Sequence, residues 1–181
     1  MLTRLFNRNQ KQDDVPQHIY GRVVAQARLP HFYQAWGIPD TPIGRFELLS
    51  LHMFVLSHRF SQEENDVALA LSQEVFDAFV SDLDRALRQL GIGDTSVPKR
   101  KKRMIATFYT QVDQLSEPLT AEDTATISAS PMISGIAGME DHPAAGPLAE
   151  YVVYAKRRLT GQSVEELITD GPDWPEPGAN Q

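Results

Sequence analysis

Apolar residues along the chain recur at helical rather than alternating spacing, and Pro and Gly cut them into segments. Leu2, Leu5 and Phe6 share a helical face in the polar, basic opening stretch. Asp13 or Asp14 is positioned to cap a helix running to about Arg28, with Ile19, Val23 and Val24 on one side and Leu29-Pro30 as its stop. His31 to Ile43 carries Phe32, Tyr33, Trp36, Gly37, Pro39 and Pro42 and reads as a short aromatic turn, followed by an Asp40/Thr41 start signal. From Ile43 to Phe60 the apolar residues surround the whole helix circumference, as in a buried central helix. A helix from Gln62 or Asp66 to Leu90 shows a sided pattern, with Leu69, Phe76, Leu83 and Leu90 seven apart, and ends at Gly91 and Gly93.

Pro98 opens a further helix that extends to about Leu115. Thr120 to Ser130 gives mixed signals, its acids favouring a helix start and its Thr and Ser diluting it. Pro131 to Pro147 reads as a loop, Leu148 to Thr160 as a helix, and Ser163 to Ile168 as a short helix begun by a Ser163/Glu166 capping box. Sustained alternation is absent. The pattern predicts an all-α fold: one compact helical domain of about six to seven helices with irregular termini. The expected division is a basic flexible segment at 1–12, a helical domain at 13–170 and a Pro-rich disordered tail at 171–181.

At 181 residues the chain has the length of a single domain. It has no cysteine, which excludes disulfides, Cys-based zinc sites, cysteine-ligated iron–sulfur clusters and a thiol nucleophile. No window approaches the roughly 18 consecutive apolar residues of a membrane span, and no signal peptide opens the chain. The net charge of −7 argues against a general nucleic-acid binder and leaves DNA off the list of partners. The charge is unevenly placed, however. Arg4, Arg8 and Lys11 form one basic island, and Lys99, Arg100, Lys101, Lys102 and Arg103 form a second. Met104 to Ala155 then holds no Lys or Arg at all. Five cations at a helix start oppose the helix dipole, a placement that points to an anionic partner, although a solvated face explains it as simply.

Catalytic chemistry finds little support. There is no Gly-rich phosphate loop, no G-x-S-x-G and no H-E-x-x-H. Asp82 and Asp84 point apart on a helix, and Asp84 is spaced to hold Arg88. His52 and His58 also fall on different sides of their helix, so neither forms an i,i+4 ligand pair. His52, in the most apolar stretch, reads as a buried histidine with one satisfied nitrogen. No catalytic residue, metal or cofactor is expected.

Several irregular motifs recur together. Gln26-Ala27-Arg28-Leu29-Pro30-His31-Phe32-Tyr33 is followed by Gly37-Ile38-Pro39-Asp40-Thr41 and Gly44-Arg45-Phe46-Glu47. Later come Leu71-Ser72-Gln73, Phe76, Asp82-Leu83-Asp84-Arg85, Arg88, Gly91-Ile92-Gly93-Asp94, Val97, Lys101-Lys102 and Phe108-Tyr109. In this order, over about Tyr20 to Leu115, the sequence resembles the ubiquinol–cytochrome c chaperone family, assembly factors for the cytochrome b subunit of respiratory complex III. The resemblance implies an all-helical, non-enzymatic chaperone that holds newly made cytochrome b until haem and partner subunits are added. It further implies contact with the ribosome, anionic lipid or a small helical assembly factor. The short stretch ahead of the domain suggests a bacterial-type member, cytoplasmic and peripheral at the inner face of the cytoplasmic membrane.

A client rich in apolar helices calls for an apolar or aromatic surface, and a place beside the membrane favours basic islands. The partner-binding residues expected on this reading are Phe32, Tyr33, Trp36, Arg45, Lys99, Arg100, Lys101, Lys102 and Arg103. Arg45, Asp82, Asp84, Arg85 and Arg88 fit a structural ion-pair network equally well. Two rival readings are a general helical adaptor or scaffold, and a helical enzyme or haem carrier using His52.

Overall fold

In the computed structural model, which describes residues 3–136 and 142–178 with side chains from Val15 onward, the described residues fold into helices without strands. These are α1 (Thr3–Ala27), α2 (Pro30–Gln34), α3 (Pro42–Ser61), α4 (Asp66–Gln89), α5 (Val97–Ala121), α6 (Thr124–Ser128), α7 (Pro131–Ser134), α8 (Ala145–Thr160) and α9 (Val164–Asp170). The all-α expectation holds. Five of them (α1, α3, α4, α5 and α8) are long, and the others are one or two turns.

The central element is α3. Thr41 caps it, its hydroxyl accepting from the Gly44 amide at 3.1 Å. Gly44 leaves room for the chain entering the helix, since a Cβ there would lie 2.2 Å from the Pro39 carbonyl oxygen. From Leu48 to Phe60 nearly every side chain is buried, because α1, α4, α5 and α8 pack around it. Arg59 is buried as well. Its guanidinium donates to the carbonyls of Leu159 at 2.8 Å and Gln162 at 2.7 Å and pairs with Glu63, tying the end of α3 to the end of α8. The Ser163/Glu166 capping box opens α9 as expected, with both reciprocal bonds made.

The structure departs from expectation in several places. Helix α1 begins at Thr3, so Asp13 and Asp14 lie inside it rather than at its start, and Pro16 is accommodated within it. The aromatic turn is a helix, α2. In α4 the buried stripe runs through Ala68, Leu71, Val75, Ala78 and Phe79 and on to Leu83 and Leu87. Leu69 and Leu90, placed on the expected core face, are 70% and 54% exposed. The buried stripe includes the small Ala68 and Ala78 on the side of α4 that packs against α1, α3 and α5, and of the leucine heptad only Leu83 falls within it.

Helix α5 runs past Leu115 to Ala121. Asp123 then starts α6 and Ser130 starts α7 through side-chain caps to Thr126 and Ile133, so part of the expected loop is helical. Glu140 and Asp141, in the rest of that loop, lie outside the described residues. Gly171–Gly178 is not a free tail. Pro172, Trp174, Pro175 and Pro177 are buried along the body, and Gln26 donates to the Pro175 carbonyl at 2.7 Å. Prolines with preset backbone angles lose little entropy when laid down as such a strap.

Candidate functional site

The aromatic residues expected at a client surface lie mainly in the core. Phe32 is fully buried, and its ring meets Trp36, His52 and Tyr151 edge-on at 5.5, 5.4 and 5.2 Å. Trp36 is 9% exposed, and half-buried Tyr33 donates to the Ala27 carbonyl at 2.7 Å, closing the end of α1. This corrects the expectation for Phe32 and Trp36: the turn preceding α3 lays them inward, against α8.

His52 lies at the centre of that cluster. Its Nδ1 is 2.7 Å from the Leu48 carbonyl and its Nε2 is 2.8 Å from the Tyr151 hydroxyl. Gln26 in turn donates to the same hydroxyl at 3.0 Å. The consistent pattern is a neutral ring donating through Nδ1 and accepting the Tyr151 proton at Nε2. Burial pushes the His52 pKa down to about 4, against a small upward pull from the Leu48 carbonyl. Both nitrogens are therefore occupied, one more than expected, and the ring has no lone pair free for iron. Among the described residues no group of His, Asp or Glu is placed to hold a metal ion.

The basic residues tell a different story. Between the start of α3, the end of α4 and the start of α5 lies an open groove of about 1100 Å³. A satellite hydrophobic cluster underlies it, in which Leu83, Leu87 and Val97 are buried against Phe46, Ile92 and Met104. Phe46 stacks on Phe79 at 5.8 Å and joins this cluster to the main core. Ile43 and Leu90, 64% and 54% exposed, stand at the rim. Arg45, Lys99, Arg100 and Arg103 line the same groove, with Asp40 its one carboxylate among the described residues. Asp40 is held by Arg45 at 2.5 Å, and that guanidinium keeps its carboxyl below the ordinary range.

The five-cation run thus divides. Each helical residue advances about 100° around the axis, which sets residue 101 on the side opposite 99 and 103, and of the five only Lys99, Arg100 and Arg103 line the groove. Lys99, Arg100 and Arg103 have no ion-pair partner among the described residues. Lys101 instead donates to Asp84 at 2.7 Å, joining Arg88 at 2.8 Å on the same carboxylate. Arg88 also reaches Asp94, Arg85 pairs with Asp82, and the Tyr20 hydroxyl donates to Asp82 at 3.0 Å. Asp82 with Arg85, and Asp84 with Arg88, therefore form two adjacent ion-pair groups within the fold, while Arg45 belongs to the groove. Lys102 is exposed and is not among the groove residues.

The start of α5 has no acidic residue in its first turn and no side-chain cap from Ser96, so positive potential from the backbone adds to that of the cations. Sequence reasoning identified the cations of this groove but missed its apolar half. Ile43, Phe46, Leu87, Leu90, Ile92 and Met104 read as ordinary core positions until the helix ends are set beside one another. The available signal was Leu90, an apolar residue at the glycine-rich end of a helix, where burial is hard to achieve.

A search of curated proteins finds no match. Among solved structures the chain is similar to the Cbp3 homolog from Brucella abortus, with 36% sequence identity, a TM-score of 0.84 and 97% of each chain covered. The family model described as ubiquinol-cytochrome C chaperone matches residues 34–174, a span holding the groove, the ion-pair network and most of the core. The chain belongs to the ubiquinol–cytochrome c chaperone family.

Proposed function

We propose that the protein is a non-enzymatic assembly chaperone for the cytochrome b subunit of ubiquinol–cytochrome c reductase, and that the groove beside α5 receives the client. The observation that carries the role is family membership over residues 34–174. Support for the binding place comes from the groove itself, where exposed Ile43 and Leu90 flank an apolar floor and three cations lack ion-pair partners among the described residues. Exposed apolar residues over a preformed concavity are the usual mark of a protein-binding surface. Among the described residues no helix is long and apolar enough to cross a membrane, so on this reading the protein meets its client at the membrane face. The ribosome and a small helical assembly factor are further partners of the same reading.

Photo-crosslinkers placed at Ile43 and Leu90, used in the cells that make the protein, test it. Cytochrome b is the expected adduct, lost when Lys99, Arg100 and Arg103 are replaced together by Gln. Adducts confined to soluble proteins outside complex III would replace this reading with a general helical adaptor.

A further inference from the structure

We infer that the segment accepted by this groove is an amphipathic helix carrying two carboxylates one turn apart beside its apolar face, rather than a wholly apolar membrane span. The inference rests on the groove being the client site and specifies what that site selects.

Its basis is charge. Arg45, Lys99, Arg100 and Arg103 line the groove, and Asp40, the one acid there among the described residues, is already bound to Arg45. A cation-lined groove is no by-product of composition, since the chain as a whole carries −7. Covering Lys99, Arg100 and Arg103 with hydrocarbon would strip water from three cations without replacing it, which is costly. A helix with carboxylates on that flank supplies the missing partners and leaves its apolar side for the floor.

Spacing adds geometry. Residues 99 and 103 lie one turn apart on α5, about 6 Å along its axis. Acids at i and i+4 of a helix lying alongside α5 repeat that distance. The concave shape argues against a bilayer as the occupant. A flat membrane reaches Ile43 and Leu90 but not the floor formed by Leu83, Leu87 and Met104, and it would engage Lys102 as readily as its neighbours.

The test is fluorescence anisotropy with the full chain and three labelled helical peptides sharing leucines at i, i+4, i+7 and i+11. Their flanking pairs, at i+1 and i+5 beside the leucine face, are Glu, Gln or Lys. The Glu peptide should bind roughly tenfold tighter than the Gln peptide at low salt, an advantage that shrinks as salt is raised. The Lys peptide should bind weakest. The combined Lys99→Gln, Arg100→Gln and Arg103→Gln variant should erase the Glu preference, Lys102→Gln should keep it, and Ile43→Ser with Leu90→Ser should weaken all three peptides.

If Glu and Gln peptides bind equally and both depend on Ile43 and Leu90, the groove stands and the acid selection is overturned. If peptide binding ignores Ile43 and Leu90, the groove reading itself fails. Vesicles of phosphatidylglycerol provide the other arm. Vesicle binding that Lys102→Gln weakens as much as Arg100→Gln does, without a Glu preference among the peptides, would assign the surface to lipid and overturn the inference.

Discussion

The aromatic cluster around Phe32 and the cationic groove beside α5 both consist of residue types that attract attention as contacts, yet their surroundings give them opposite work. Phe32 has rings on several sides and no exposure, whereas Lys99, Arg100 and Arg103 have solvent and no ion-pair partner among the described residues. In the first region the polar groups at its centre are answered: His52 has two partners, and the Tyr151 hydroxyl is held between His52 and Gln26, with the buried Trp174 indole N–H beside His52 as the exception among the described residues. In the second, polar and apolar groups alike are left open. A region whose interactions are complete contributes stability, and one whose interactions are incomplete is available for binding.

The sharpest way to break that contrast is Phe32→Ala. Removing a fully buried phenylalanine leaves a cavity bounded by Trp36, His52 and Tyr151 and should cost about 3–5 kcal/mol. Urea unfolding followed by circular dichroism measures it. A loss below about 1 kcal/mol, together with weaker client capture, would return Phe32 to the contact surface.

The next effect comes from His52. Burial takes its pKa from 6.5 down to about 4 in the folded chain. The unfolded chain therefore takes up a proton near pH 6.5, while the folded chain resists until near pH 4. The associated stability is fully present above pH 6.5 and falls as the pH drops through that window, by about 2 kcal/mol at pH 5. His58, also lowered by burial, contributes with the same sign. Stability measured at pH 7 and pH 5 should drop more steeply in the natural protein than in His52→Gln. Equal slopes would mean the imidazole is not held neutral by the core.

The groove should behave in the opposite way. Ile43→Ser with Leu90→Ser alters side chains 64% and 54% exposed and should change stability by no more than about 0.5 kcal/mol, while client and peptide binding fall. A large loss of stability would make these residues part of the satellite core rather than the rim of a site.

Much of this architecture can be read from periodicity. The all-round apolar run of α3, the Thr41 start, the Ser163/Glu166 capping box and the helix stop at Gly91 follow from local chemistry and are found where expected. Interactions between elements are harder to anticipate. Ala68 and Ala78 look neutral in a sequence, and only the packing of α4 against its neighbouring helices makes them core while leaving Leu69 in water. The prolines of Gly171–Gly178 suggest a loose tail, yet Trp174 lies 5.2 Å from His52, a contact across more than a hundred residues that no local pattern encodes. The groove was half visible for the same reason: its cations sit in one run, while its apolar walls come from three separate helix ends.

The finest test concerns neighbours within the basic run. Lys101 lies 2.7 Å from Asp84, which Arg88 also holds, whereas Lys102 has no ion-pair partner among the described residues. Lys101 first and Arg88 second keep the Asp84 carboxyl below its ordinary range. Lys101→Gln should therefore raise the Asp84 titration toward the usual carboxylate value and lower the melting temperature slightly, and Lys102→Gln should do neither. Carboxyl-detected NMR titration of the two variants separates them, and high salt should narrow the difference because the pair is partly exposed. Identical Asp84 titrations would mean that Lys99 to Arg103 act as one undivided charged surface. The distinction between cations committed to the fold and cations free of it would then fail where it is drawn most finely, within two consecutive lysines of α5.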